Sequence, residues 1–139
     1  MKFIHTFLSL ATLTMPCAVS AADLQVTVVD GPPVPAVLYL ALFNSAEAMA
    51  SNQALASQKV ELRDGAAQVV FTGLPAGRYA VKSFADENGN ARLDTNIVGL
   101  PTERYGFSNN ARGRMGPPTF DAAAVPLDAD NASISFRLR

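Results

Sequence analysis

The segment Thr72-Gly73-Leu74-Pro75-Ala76-Gly77-Arg78-Tyr79-Ala80-Val81-Lys82-Ser83-Phe84 holds a turn and the strand it launches. Two glycines and a proline within six residues cannot continue a regular element, because proline fixes φ and lacks a donor while glycine admits positive φ. From Arg78 to Phe84 there is neither, and tyrosine, valine and phenylalanine suit a pleated surface, which predicts a strand.

Upstream, Gln58–Leu62 and Ala67–Phe71 are strand-like runs joined by Arg63-Asp64-Gly65-Ala66, where Asp-Gly supplies the positive φ of a tight hairpin. Earlier still, Leu24–Asp30 alternates as a strand should, and Gly31-Pro32-Pro33-Val34-Pro35 breaks it. Ala36–Phe43 is nearly all apolar and short, which predicts a central strand covered on both faces. Asn44–Ala50 suits a helical turn capped by Asn44 or Ser45, with Glu47 in its first turn.

Downstream of the strand lies Asp86-Glu87-Asn88-Gly89-Asn90-Ala91-Arg92-Leu93-Asp94, and then periodicity is lost from about Thr95 to Pro118. So long a stretch is functional or disordered, and Tyr105 and Phe107 argue against disorder because aromatic rings tend to need burial. Ala122–Leu127 and Ala132–Leu138 read as two more strands, the last with Ile134, Phe136 and Leu138 on one face. Seven or so short strands, turns rich in glycine and proline, and no strong helix predict an all-β chain folded as a single antiparallel β-sandwich over residues 23–139.

The first 22 residues read differently. Lys2, a short apolar run, Pro16 and the small residues Ala18 to Ala22 form the pattern of a secretory signal peptide, cleaved after Ala21 or Ala22. The run is shorter than the roughly 20 residues of a spanning helix and is broken by Pro16. Cys17 follows Pro16, a poor context for lipidation. Export to the periplasm or the medium is expected, with no membrane span in the mature form.

Removing that segment takes away Cys17 and His5, the chain's only thiol and imidazole, and the chain has no tryptophan. Disulfides, Ser-His-Asp and Cys-His catalysis, and zinc sites built on His or Cys are thereby excluded from residues 23–139. Eleven basic residues, Lys2 among them, stand against twelve acidic ones, with no basic stripe, so nucleic acid is not an expected partner.

Leu74-Pro75-Ala76-Gly77-Arg78-Tyr79-Ala80-Val81, Asp86-Glu87-Asn88-Gly89-Asn90, Leu93-Asp94-Thr95-Asn96, Gly99-Leu100-Pro101 and Tyr105-Gly106-Phe107-Ser108-Asn109-Asn110 together resemble the DUF2141 family of exported bacterial proteins. The Leu-Pro-x-Gly-x-Tyr turn is also similar to that of prealbumin-like and carboxypeptidase-regulatory-like modules, which implies a transthyretin- or immunoglobulin-like sandwich by analogy. Two positions depart from the family's usual pattern: Ala85 stands where a His is usual, and Ala91 where a Gly is. The resemblance implies no activity.

Two groups of residues are candidate sites. Counting Asp86 as position 1 of a cation loop places Asn88, Asn90, the Arg92 carbonyl and Asp94 at positions 3, 5, 7 and 9, an oxygen set suited to Ca²⁺. Position 6 is then Ala91 instead of Gly and position 12 is Ile97 instead of Glu, so a further carboxylate, Glu87 or Glu103, would have to complete it. The opposing reading is a dry turn in which the Asp and Asn side chains bind their own backbone. The second group, Tyr105, Phe107, Asn109 and Asn110, could form a surface for an extracytoplasmic protein or glycan, or could pin a long loop onto the sandwich. A carboxylate-based hydrolase using Asp86 with Asp94, or Glu87 with Glu103, is the remaining possibility, though a domain this small has little room for a cleft and no catalysis is expected.

Overall fold

The computed structural model describes residues 20–139. The expected signal segment lies, up to residue 19, outside the described residues, and Ala21 and Ala22 already belong to the first strand.

Among the described residues eight strands form two sheets. They are β1 (Ala21–Val29), β2 (Val37–Phe43), β3 (Ala56–Glu61), β4 (Ala67–Pro75), β5 (Gly77–Asp86), β6 (Tyr105–Phe107), β7 (Val125–Leu127) and β8 (Ala132–Arg137). The smaller sheet has the order β4-β1-β8, and the larger has the order β3-β2-β5-β6 with β7 also paired to β5. One cluster of buried side chains draws on both sheets: Leu24, Val26 and Val28 of β1, Leu38, Leu40 and Leu42 of β2, Val81 of β5, and Phe136 of β8. Along β1 and β2 every second residue enters it, as the two-residue side-chain period requires. The all-β expectation therefore holds.

The structure corrects the expectation of an all-antiparallel sheet arrangement. β1 pairs with β4 antiparallel, but with β8 in parallel, from Leu24 opposite Ala132 to Val29 opposite Arg137. Local turn chemistry orients only sequence neighbours; β1 and β8 are joined by nearly the whole chain, which leaves their relative direction free. The Asp64-Gly65 turn also forms, with Arg63 and Ala66 exchanging both backbone hydrogen bonds at 2.9 and 3.0 Å and both central residues at positive φ. Its ladder stops there, because β3 continues along β2 and β4 along β1, so the turn passes the chain from one sheet to the other.

Of the two short helices, the first lies where the sequence places it and the second does not. Asn44–Ala50 does contain a helical turn, α1 (Ala46–Ala50), capped by the Ser45 hydroxyl on the Ala48 N–H. The strand expected over Ala122–Leu127 begins only at Val125: α2 (Phe120–Ala123) precedes it, capped by Thr119 on the Ala122 N–H. Alanine is the best helix former, so three alanines behind a threonine cap favour a turn of helix over an extended start.

β2 lies between β3 and β5, as a central strand should, yet its two faces differ. Leu38, Leu40 and Leu42 are fully in the core, while Val37, Tyr39 and Ala41 on the outer face are half-buried. At one end of that face a second cluster forms, in which Phe43 and Ala80 are covered by Phe107, Ala111, Phe120, Ala123 and Ala124. The stretch from Thr95 to Pro118 is therefore not a structureless loop. It carries β6, a 3₁₀ turn at Ser108–Asn110 and part of the cover of the larger sheet.

Candidate functional site

The acidic segment leaves β5 at Asp86, which is buried although it is charged. Its carboxylate is the hub of the turn: Oδ1 accepts from the Gly89 and Asn90 N–H groups at 2.8 and 3.3 Å, and Oδ2 from the Ala91 N–H at 2.8 Å. Buried charge is tolerated only where such donors replace water. Gly89 and Ala91 both take left-handed backbone, at φ 77° and 59°, to bring those N–H groups inward. The sharp turn expected to need glycine at position 6 is thus made by alanine, under strain that glycine would not carry.

Glu103 is the second hub, and sequence spacing alone gave it only a conditional role. It is also buried, and its Oε1 accepts from the Glu87 N–H at 3.0 Å while Oε2 accepts from the Asp94 N–H at 3.1 Å. Its two oxygens clamp the two ends of the acidic loop. Ile97, at position 12, is fully exposed on a separate tip, closed by the Asn96 side chain on the Val98 and Leu100 N–H groups.

The remaining loop residues are exposed or half-exposed and bind one another. The Asn88 amide donates to Asp94 Oδ2 at 2.5 Å, and the Asn90 amide donates to both Asp94 oxygens at 2.9 Å. Each asparagine also accepts with its Oδ1 from the N–H two residues on, Asn88 from Asn90 at 3.1 Å and Asn90 from Arg92 at 3.0 Å. Those acceptor bonds fix the amide orientation and aim the NH₂ groups, not the oxygens, at Asp94. Asp86, Asn88, Asn90 and Asp94 are brought together, then, but through donors that a cation would have to displace. Arg92 is exposed and contributes its N–H to the Asn90 side chain.

Ala85, the position where His is usual in the resembling family, is fully buried between the sheets and donates its N–H to the Arg104 carbonyl at 2.8 Å. Its side chain faces the core and not the loop.

Tyr105, Phe107, Asn109 and Asn110 do not share one exposed face. Phe107 is buried, and Tyr105 is half-buried with its ring edge-on to Phe107 at 6.2 Å. The asparagines serve the backbone: Asn109 donates to the Ala122 and Ala124 carbonyls at 3.3 and 2.9 Å, and Asn110 accepts from the Arg137 N–H at 3.0 Å. Gly106 lies so close to β8 that a Cβ would sit 2.7 Å from the Arg137 carbonyl oxygen. The whole Tyr105–Asn110 motif is a clasp that ties β5, α2 and β8 together.

Part of the outer face of the larger sheet is open to solvent. The registers place Lys59, Tyr39, Phe84 and Tyr105 opposite one another on four successive strands. Tyr39 and Phe84 are stacked, with centroids 5.1 Å apart and planes within 8°. The next row brings Lys82 beside Phe107, and over these two lies a cavity of about 450 Å³. Met49 of α1, Pro117, Pro118 and Phe120 wall it. Neither the row nor the cavity was visible in the sequence, since both depend on strand register; the one signal was a lysine inside an apolar strand.

The profile described as "Uncharacterized protein conserved in bacteria (DUF2141)" matches residues 26–135, which spans the chain from the middle of β1 into β8. The chain belongs to the DUF2141 family. Comparison with curated proteins and comparison with solved structures each return no match. All the segments that carried the resemblance fall inside the matched region of this DUF2141 chain, and in this chain each has an internal structural task. The Leu74–Gly77 turn, for example, is locked by the buried Tyr79, whose hydroxyl donates to the Pro75 carbonyl at 2.6 Å.

Proposed function

We propose that this DUF2141 protein is an exported β-sandwich module that binds or structures something outside the cytoplasm, with its acidic loop serving as a rigid scaffold. The two sheets would be the two layers of a transthyretin- or immunoglobulin-like sandwich, a reading supported by the core they share. The observation that carries the role of the loop is the use of its two buried carboxylates. Asp86 and Glu103 together receive five backbone N–H groups, from Glu87, Gly89, Asn90, Ala91 and Asp94. In this reading those carboxylates serve to hold backbone, and most of their acceptor capacity is directed at N–H groups. The reading gives Asp86 and Glu103 a structural role, and places binding on the outer face of the larger sheet.

A second reading, Ca²⁺ held in the loop, is favoured by the convergence of Asn88 and Asn90 on the Asp94 carboxylate. Such a site would have to turn both amides over, giving up their bonds to the Asn90 and Arg92 N–H groups, and would take the rest of its shell from water. Thermal melts in Ca²⁺ and in chelator separate the two readings, because a ligand that binds only the folded state raises its melting temperature. Export is tested by fractionating cells that express the full chain and sequencing the mature N-terminus, expected at Ala22 or Asp23; an intact Met1 terminus in the cytoplasmic fraction would overturn it.

A further inference from the structure

The cavity on the outer face of the larger sheet has a chemistry of its own. Its walls are apolar, from Met49, Phe107, Pro117, Pro118 and Phe120, and its lining includes one charged residue, Lys82. Lys82 leaves the middle of β5 opposite Phe107, and it shares the cavity lining with Ala46, Met49 and Ala50 of α1. The ammonium donates to Asn52 Oδ1 at 3.2 Å, a neutral amide, and among the described residues it makes no ion pair. Thr119, also in the lining, uses its hydroxyl oxygen to accept the Ala122 N–H, which leaves the hydroxyl proton available to a ligand oxygen.

An apolar cavity of this volume falls in the range of small-molecule sites, where a few polar groups orient the ligand. Here those groups are an ammonium, a hydroxyl and an amide. They suit an anionic head and repel a cationic one, while the walls suit a hydrocarbon body.

We infer that this cavity binds a small anion with an apolar tail, of which a medium-chain carboxylate is the simplest member, with Lys82 taking the carboxylate and Met49, Phe107 and Phe120 enclosing the chain. The inference rests on the reading of the protein as a binding module and adds the class of ligand. Lys82 is half-buried on the sheet, and its ammonium lies at the exposed side of the cavity, where it can meet a charged head. Binding should therefore depend on the head-group charge as well as on the tail.

The test is calorimetric titration of residues 23–139 with octanoate, 1-octanol and octylammonium, with chemical-shift mapping of the bound state. Octanoate should saturate with a Kd between about 0.05 and 1 mM, the range open to a ligand of so few atoms. It should shift resonances of Met49, Lys82 and Thr119. Lys82→Met, which keeps an unbranched apolar stem without the ammonium, should weaken octanoate about tenfold and leave octanol unchanged. Ala50→Phe, which fills the cavity from an exposed helix position, should weaken both. Octylammonium should bind at least tenfold more weakly than octanoate. No saturable octanoate binding to protein with native circular dichroism, equal affinity in Lys82→Met, or shifts confined to another face would each overturn the inference. Those outcomes leave export and the dry loop to their own experiments, so the failure of the ligand class and the failure of the module reading are distinguishable.

Discussion

The Ser108 hydroxyl takes the place of a strand partner for Val81, accepting its N–H at 2.9 Å. β7 covers one edge of β5 at Gly77–Tyr79 and β6 covers the same edge at Lys82–Phe84, which leaves a gap at Val81. Ser108 is fully buried in that gap and donates onward to the Ala123 carbonyl at 2.5 Å. A single side chain thus joins two short strands and α2 into a continuous edge, and holds Phe107 and Phe120 where they wall the cavity.

Ser108→Ala would leave a buried donor at Val81 and a buried acceptor at Ala123 without partners. The expected loss is about 2–4 kcal/mol in urea unfolding, the cost of orphaning two buried backbone groups. A loss below about 0.5 kcal/mol would show that the edge does not depend on this hydroxyl.

Asp86→Ala removes the acceptor of three N–H groups at once. We expect a cost of about 2–3 kcal/mol, together with faster amide exchange at Gly89, Asn90 and Ala91 than elsewhere in the fold. Exchange unchanged at those three amides would contradict the hub role. Ala91→Gly works in the opposite direction. Relief of left-handed strain exceeds the extra chain entropy of glycine by a small margin, so a gain of up to about 1 kcal/mol is expected, and a clear loss would count against the strained turn.

Tyr79 gives a pH prediction. Burial raises its phenol above the ordinary value of 10.0, because the phenolate would be formed away from water. The folded state therefore holds this proton more tightly than the unfolded state. Stability is fully present below pH 10, falls as pH rises from 10 through the higher folded value, and is level beyond it. Tyr79→Phe should lose about 1 kcal/mol at neutral pH with the Pro75 hydrogen bond, and should lack this component of the alkaline decline. Parallel alkaline curves for the two proteins would overturn the assignment.

Much of the fold was legible because the signals were local. The alternation of Leu24–Asp30 and Ala132–Leu138, the turn at Leu74–Gly77, the Ser45 cap and the Asp64-Gly65 turn all appear where residue chemistry puts them. What escaped was set by distance along the chain. The parallel pairing of Val26 with Ile134 has no sequence signature, and β6 is three residues long in a stretch dominated by glycine and proline. The acidic loop showed its two readings in its spacing, but Glu103 could be seen as a clamp only once its bonds to Glu87 and Asp94 were known. Ser108 lies 27 residues from Val81, and no pattern links them. Lys82 was legible as part of a strand, not as the cation of a cavity whose far wall comes from Pro117 and Phe120.

The central claim is that the acidic loop is a scaffold closed by its own backbone, and a Ca²⁺ titration tests it most directly. Residues 23–139 should melt at the same temperature, within about 1 °C, in 5 mM Ca²⁺ and in chelator, because a folded state with no site gains nothing from the ion. Calorimetry should show no saturable heat. A site with a Kd near 1 mM would add about 1 kcal/mol at that concentration and raise the melting temperature by several degrees. A rise of that size, abolished by Asp94→Asn, would contradict the account and establish the loop as an ion site.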